Sequence, residues 1–245
     1  MKKIIHVIYS IYAWFVCLLF WCAGYFIATI SAFGLKNKEH KLNAIDRAFT
    51  RIALKLIGIK IDIKGLENIP EDEPVIFVSN HQSYLDVKFT IAAIPINFSF
   101  ISKDVVFKMP ILGRFMKASG YISINRFEGR KAYATLNEVV KKLEDGKSII
   151  YFPEGTRSNN GKLGQFKRGI SLVILRSGKK VVPTAIIGSG RYVPKGTFIG
   201  NPNNRNIRIK FGKALEFPKT EKGDRALSKD VITKIRSEVS KLLYN

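Results

Sequence analysis

The chain has 245 residues, 46% of them hydrophobic, which is enough for the core of one large domain or two small ones. Lysine and arginine outnumber aspartate and glutamate by 41 to 19, so the surface should attract the phosphates of nucleic acid, anionic lipid or a small phosphorylated substrate. Both cysteines, Cys17 and Cys22, lie near the N-terminus, which excludes a disulfide or a cysteine-based zinc site from the rest of the chain.

The N-terminal segment is strongly apolar. Residues 4–35 contain no Lys, Arg, Asp or Glu, and the pattern predicts a helix over residues 4–34 with Gly34 as its stop. A helix of this size would be about 45–50 Å long, whereas the hydrocarbon core of a bilayer is roughly 30 Å thick. Lysines flank the segment on both sides and give no clear positive-inside asymmetry. A spanning helix and a helix that lies in one leaflet both stay open.

The next segment has the pattern of an amphipathic helix over residues 40–57. Its apolar positions recur at steps of three and four residues, and its basic positions form a stripe. The apolar residues are Leu42, Ile45, Phe49, Ile52 and Leu56, and the basic ones are Arg47, Arg51 and Lys55. Such a helix lies either in a membrane interface or against a protein core. Residues 1–57 are therefore predicted to form a membrane-associated two-helix motif, followed by one domain over residues 58–245.

After Gly58, short β-rich runs alternate with helical ones. Predicted strands are Lys60–Lys64, Val75–Ser79, Phe98–Ser102, Tyr121–Ile124, Ser148–Tyr151, Val181–Ile186 and Ile207–Phe211. Predicted helices are Ser83–Ala93, Arg130–Glu144, Gly169–Ser177 and Lys229–Leu243, and residues 196–204 form a predicted loop. This alternation predicts the α/β class, with a single domain whose mostly parallel central sheet is flanked by helices.

His81 is the main candidate for chemistry. The other two histidines, His6 and His40, lie in or beside the N-terminal helices. His81 follows a predicted strand, and Asp86 falls in the first turn of the next predicted helix, so its carboxylate can reach back to the imidazole. Such a carboxylate orients the ring and stabilises the imidazolium that forms after proton transfer. A helix cap and a polar turn residue are the structural alternatives for this pair.

Three more groups follow other predicted strands. Lys103 and Arg126 each come after a strand end, and the run Phe-Pro-Glu-Gly-Thr-Arg-Ser occupies residues 152–158. In that run Glu154 can accept hydrogen bonds from a polyol, Gly155 permits close approach to the backbone, and Arg157 can pair with phosphate. If the strands are parallel, their carboxyl ends meet at one edge and bring these side chains together with His81.

These motifs, in this order, resemble the glycerolipid acyltransferase family, most closely its bacterial 1-acyl-sn-glycerol-3-phosphate acyltransferases. The family carries Asn-His-x4-Asp, a strand ending in Arg, Phe-Pro-Glu-Gly-Thr-Arg-Ser and a Val-Pro block, here at residues 181–186. The resemblance covers roughly residues 75–190. It departs at Ser123 and Asn125, where the family often has Phe and Asp.

The resemblance implies direct acyl transfer from acyl-CoA or acyl-carrier protein to the sn-2 hydroxyl of 1-acyl-sn-glycerol 3-phosphate, with no further cofactor and no metal. His81 would act as the general base and Asp86 would orient it. Its implied substrate-binding residues are Asn80, Ser83, Lys103, Arg126, Glu154, Gly155, Thr156 and Arg157. No Gly-x-Ser-x-Gly nucleophile elbow occurs, which agrees with a substrate hydroxyl as the nucleophile.

The implied partners are membrane lipids, an anionic lysophospholipid acceptor and the acyl donor, without nucleic acid. The expected form is a monomer on the inner (cytoplasmic) membrane, with the catalytic domain on the cytoplasmic side. Glycerol 3-phosphate or another lysophospholipid stays open as the acceptor. Two other classes stay open: a non-catalytic basic protein that binds anionic lipid, and a metal-dependent hydrolase, which the single histidine of the predicted domain disfavours.

Overall fold

A computed structural model describes residues 2–31, 38–124, 129–158, 160–220 and 225–245. The strands within these ranges are β1 Lys60–Lys64, β2 Ile76–Ser79, β3 Phe98–Lys103, β4 Ile122–Ile124, β5 Ser148–Tyr151, β6 Val181–Ile187 and β7 Asn206–Phe211. The helices are α1 Lys2–Ser31, α2 Lys38–Leu56, α3 Asp86–Ala93, α4 Asp104–Phe107, α5 Pro110–Ala118, α6 Gly129–Glu144, α7 Gly169–Ser177, α8 Ser189–Tyr192 and α9 Arg225–Tyr244. A 3-10 turn spans Leu66–Asn68.

The strands form one sheet in the order β1-β7-β6-β2-β5-β3-β4. Strands β2 to β6 all run in the same direction, while β7 is antiparallel to β6 and pairs in parallel with β1. The predicted α/β fold with a mostly parallel central sheet is therefore confirmed. The two reversed strands lie together at one edge.

Helices cover both faces of the sheet, as its central strand illustrates. Phe77 of β2 packs into an apolar cluster with α1, α2 and α3, whereas Ile76 and Val78 face a second cluster with α6, α7 and α9. Successive side chains of a strand point to opposite faces, so an uninterrupted apolar strand requires cover on both sides. All four residues of β2 are buried, as this arrangement demands.

Predicted and observed elements differ mainly at short helices. The predicted strands agree with the structure to within one residue at each end, and the 196–204 run is a loop as expected. The sequence reasoning missed α4, α5 and α8, which have 4, 9 and 4 residues. Helices of four residues are too short to repeat an apolar face and so give no periodic signal, whereas α5 is as long as α7 and was overlooked. The predicted helix from Lys229 begins earlier, at Arg225.

Helix α1 lies along the domain and does not project away from it. The Tyr9 hydroxyl donates to the Ile57 carbonyl at 2.9 Å, and the Tyr25 ring stacks on Phe115 with centroids 4.1 Å apart. The opposite face of α1 is an exposed apolar stripe at steps of three and four residues. Its largest members are Ile4, Ile8, Ile11, Phe15, Leu18, Phe26 and Ile30. Residues Lys3–Ser31 are long and apolar enough to cross a membrane. The predicted stop at Gly34 lies outside the described residues.

The apolar residues of helix α2 lie partly in the protein core and partly at the surface. Leu42 is buried, while Ile52 and Leu56 are 45% and 49% exposed. Two members of the predicted basic stripe bind protein rather than facing outward: Arg47 donates to the carbonyls of residues 95 and 96, and Arg51 donates to that of residue 92. These carbonyls lie at and just beyond the end of α3, where basic groups satisfy helix acceptors.

Candidate active site

His81 and Asp86 form a hydrogen-bonded dyad just beyond β2. The Asp86 Oδ2 atom lies 2.7 Å from His81 Nδ1, so the expected reach of the carboxylate back to the ring is confirmed. A carboxylate only accepts hydrogen bonds, so Nδ1 carries the proton and Nε2 keeps its lone pair. The imidazole also stacks on Phe152, with centroids 4.4 Å apart, and its side chain is 20% exposed. The dyad therefore presents one basic nitrogen from a ring that is held on two sides.

The start of α3 explains how Asp86 is held. The helix begins at Asp86, not at Ser83 as predicted. Asp86 Oδ2 also accepts the backbone N–H groups of Gln82 at 2.6 Å and Ser83 at 2.8 Å, which is the carboxylate half of a capping box. The other half is absent, because the Asp86 N–H donates to the Ser83 carbonyl at 3.4 Å and not to the Ser83 hydroxyl, which itself donates to the Val193 carbonyl at 2.9 Å. Three donors on one buried oxygen leave the carboxylate little freedom to move.

The 152–158 run binds the backbone of His81 from both ends. Glu154 Oε1 accepts the His81 N–H at 2.8 Å, and the Ser158 N–H donates to the His81 carbonyl at 2.8 Å. Glu154 Oε2 accepts the Gly164 N–H at 2.8 Å. Burial raises the pKa of Glu154, although these backbone donors oppose the shift. Glu154 is only 6% exposed, and in this structure its two carboxylate oxygens bind backbone N–H groups and hold the backbone of His81.

Asn80 and Ser83 are also used by the scaffold. The Asn80 amide exchanges two hydrogen bonds with the backbone of Ile186 in β6, at 2.9 and 2.8 Å, and thereby extends the pairing of β2 and β6. Asn80 is 1% exposed and Ser83 is fully buried. Both were expected to bind substrate, but their polar atoms bind protein backbone instead. Each fixes the turn that carries His81.

Arg157 lies over the ring of Tyr84, with its guanidinium carbon 3.3 Å from the ring centroid. Lys195, which no sequence signal had indicated, donates to the Thr156 hydroxyl at 3.3 Å and to the Arg157 carbonyl at 2.8 Å. Gly155 has φ +68°, and a Cβ there would lie 3.0 Å from Cε of Lys167. The turn therefore requires glycine, and it brings three cationic side chains near one another.

Lys103 lies farther along the same edge of the sheet. Since β5 separates β2 from β3, Lys103 ends a strand two positions from His81, a lateral distance of roughly 10 Å at 4.8 Å per strand. Its side chain is exposed. Arg126 follows β4, one strand farther out, and lies outside the described residues. The parallel strands therefore bring Lys103 to the edge that carries His81, as expected, but not into one tight cluster with it, and the placement of Arg126 stays a prediction.

The described residues contain no group of three or more His, Cys, Asp or Glu side chains that could hold a metal ion. The reactive groups that the structure describes at this edge are the dyad and the nearby cations. The dyad can remove a proton from a hydroxyl group, and the cations can hold an anionic group.

Comparisons with known proteins show the family to which the described chain is similar. The family model described as Acyltransferase matches residues 60–187, more than half of the chain. A chloroplastic 1-acyl-sn-glycerol-3-phosphate acyltransferase of Arabidopsis thaliana is 39% identical over 163 residues, 66% of this chain and 45% of that protein. The protein of the same name from Borreliella burgdorferi is 32% identical over 149 residues, 61% of this chain and 60% of that protein. The chain thus spans less than two thirds of the length of either relative.

A solved structure shares the whole architecture. The 1-acyl-sn-glycerophosphate (LPA) acyltransferase PlsC from Thermotoga maritima superposes with a TM-score of 0.82 at 25% sequence identity. The likeness covers 99% of this chain and 98% of that one, so it includes the N-terminal helices as well as the sheet.

Proposed function

The chain belongs to the acyltransferase family, and on this basis we propose that it acylates the sn-2 hydroxyl of 1-acyl-sn-glycerol 3-phosphate to form phosphatidic acid. The donor is an acyl thioester, either acyl-CoA or acyl-carrier protein. The observation that carries the proposal is the 2.7 Å bond between His81 and Asp86 at the edge where Arg157 lies. The names of the plant, spirochaete and Thermotoga relatives favour this acceptor over glycerol 3-phosphate.

The proposed reaction needs one base and no covalent enzyme intermediate. His81 Nε2 takes the proton of the acceptor hydroxyl as its oxygen attacks the thioester carbonyl carbon. The tetrahedral intermediate then collapses, the carbon–sulfur bond breaks, and the departing thiolate receives the proton from His81. Asp86 stabilises the imidazolium between these two transfers. The products are an ester and a free thiol.

Binding of the acceptor is assigned to the cations on the same edge. Arg157 has no carboxylate partner among the described residues, and its buried Nη1 atom has no hydrogen-bond partner there, which supports a phosphate as its ligand. Lys103 and Arg126 follow the neighbouring strands and would bind the same anionic headgroup from the side. Gly155 and Thr156 would lie along the glycerol portion, because Thr156 is exposed next to Arg157.

The apolar stripe of α1 supports membrane association, and its packing favours insertion into one leaflet. Contacts with the domain at Tyr9 and Tyr25 are 16 residues apart, about 24 Å along the helix. A helix held to a charged domain over this length cannot cross a bilayer without drawing polar surface into the hydrocarbon. We place the chain on the inner membrane with the domain on the cytoplasmic side, where thioester donors occur.

The test is transfer of labelled acyl chains to 1-acyl-sn-glycerol 3-phosphate in detergent micelles, with acyl-CoA and acyl-carrier protein as alternative donors. His81→Ala should lower the rate by about 10²–10⁴-fold, the usual contribution of a positioned base. His40→Ala, at an exposed histidine of α2, is the matched control and should retain full activity. If the protein acylates glycerol 3-phosphate and not 1-acyl-sn-glycerol 3-phosphate, the proposed acceptor is wrong. Binding of anionic vesicles without product from any acceptor would favour the non-catalytic alternative.

A further inference from the structure

Four side chains form a continuous stack from the loop after β5 to helix α1. The Arg157 guanidinium lies 3.3 Å from the centroid of Tyr84. The rings of Tyr84 and Phe198 stack within 6° of parallel, with centroids 5.2 Å apart. Phe198 then meets Trp14 edge to face at 5.9 Å. The stack joins the proposed phosphate-binding loop, the His81 turn, the loop after α8 and the N-terminal helix.

The contact between Arg157 and Tyr84 does not use the hydrogen-bonding edge of the guanidinium. A ring under the flat face of a guanidinium attracts the cation without using any of its N–H donors, which point outward in the plane. An ion pair with a carboxylate would use two of them. Arg157 Nη1 is enclosed and has no hydrogen-bond partner among the described residues. A buried donor without a partner is costly, so a ligand oxygen at this position would recover that cost.

The two middle rings are poorly explained by core packing. Tyr84 is 46% exposed and Phe198 is 61% exposed. The loop that carries Phe198 is nevertheless tied to α1, because Trp14 Nε1 donates to the Phe198 carbonyl at 2.6 Å. Phe15 and Leu18, which follow Trp14 along α1, are exposed apolar residues of the same helix. The rings thus sit between the stripe assigned to the membrane and the arginine assigned to phosphate.

We propose that Tyr84 and Phe198 are positioning residues that hold Arg157 for the acceptor's phosphate and connect this arginine to the membrane-seated helix α1. This role rests on the proposed function, since it requires a phosphorylated acceptor that enters from the bilayer. Neither ring touches the reacting atoms. Both act through the orientation of one guanidinium.

The first measurement is equilibrium affinity by calorimetry for 1-acyl-glycerol 3-phosphate and for phosphate-free 1-acylglycerol, each in the same detergent micelles. Tyr84→Leu should weaken binding of the phosphorylated lipid by roughly 2- to 30-fold, the range for loss of a cation–π contact, and leave the phosphate-free lipid unchanged. Tyr84→Phe keeps the ring and should stay within about threefold of wild type. Equal weakening for both lipids would indicate a merely structural role and overturn the proposal.

Kinetics and a double-mutant cycle provide a second readout. Tyr84→Leu should raise KM for the phosphorylated acceptor and leave kcat within about twofold of wild type, because the dyad is untouched. Phe198→Ser should act in the same direction. The loss in Tyr84→Leu/Phe198→Ser should be smaller than the sum of the two single losses and close to that of Tyr84→Leu alone. Additive losses would refute action through a shared Arg157.

The calorimetry separates this proposal from the proposed reaction. If wild type binds the phosphorylated lipid and Tyr84→Leu weakens that binding, but no product forms, the positioning role stands and the assigned reaction is wrong. If product forms and Tyr84→Leu binds as wild type does, the reaction stands and the positioning role is wrong.

Discussion

Replacement of Asp86 by asparagine separates the charge of the dyad from its geometry. Asp86 Oδ2 accepts three donors, His81 Nδ1 and the N–H groups of residues 82 and 83, at 2.6–2.8 Å. The other oxygen, Oδ1, is buried without a hydrogen-bond partner among the described residues. Only one orientation of an asparagine amide avoids three donor–donor contacts: its oxygen must take the Oδ2 position. The histidine tautomer is thereby preserved, and only the negative charge is lost.

The expected magnitude follows from this geometry. A hydrogen bond to a charged group contributes about 1.5–3 kcal/mol and a neutral one about 0.5–1.5 kcal/mol, so the imidazolium loses about 1–2 kcal/mol of stabilisation. Asp86→Asn should therefore lower kcat by roughly 5- to 30-fold, well short of the loss expected for His81→Ala. The new NH₂ group would be buried without an acceptor, which should reduce the free energy of unfolding by about 1–3 kcal/mol.

The assay is kcat for acyl transfer at saturating donor and acceptor, with thermal unfolding measured to show that each variant is folded. Asp230→Asn, at an exposed aspartate of α9, controls for the change of charge. A fall equal to that of His81→Ala would mean that the amide does not preserve the tautomer, and the reasoning from Oδ1 would be refuted. Unchanged kcat would refute a role for the charge.

Three further predictions concern stability and membrane binding. Lys88 and Asp46 form a buried ion pair at 2.8 Å, so Lys88→Met should lower the free energy of unfolding by about 3–5 kcal/mol. Lys88→Met/Asp46→Leu leaves no unpaired charge and should recover most of this loss. Equal melting temperatures for the two variants would contradict this. Burial raises the pKa of Glu154, so the folded state binds this proton more tightly than the unfolded chain does. The contribution of Glu154 to the free energy of unfolding is therefore full below its ordinary pKa of 4.5 and should fall as the pH rises through its folded-state pKa. If the stability of wild type relative to Glu154→Gln increased over this pH range, the prediction would be wrong. Leu18 is 62% exposed on α1, so Leu18→Glu should leave melting in detergent unchanged and weaken partition into anionic vesicles at least about tenfold. Partition is measured by cosedimentation with the vesicles. If the variant cosediments as wild type does, this face of α1 does not enter the membrane.

The sequence alone determined the sheet-forming segments and the chemical groups at the site. Strands β1 and β5 begin and end as predicted, because short β-rich runs between turn residues are a local signal. The five-residue separation of His81 and Asp86 was also sufficient to predict that they meet, since the turn between them is itself local. The predicted helix Ser83–Ala93 begins earlier than α3 does, because the local sequence cannot reveal that the Ser83 hydroxyl binds Val193, 110 residues away.

Only the tertiary structure decided what each polar group binds. The position of β5 between β2 and β3 places Glu154 against His81, 73 residues away in sequence, where its carboxylate holds the backbone of His81. Likewise Asn80 bonds with Ile186, 106 residues away, and Phe198 reaches Tyr84. A residue type shows which hydrogen bonds are possible, whereas burial and strand order determine which of them form. The sequence thus identified the reactive groups, and the pairing of distant segments assigned them their partners.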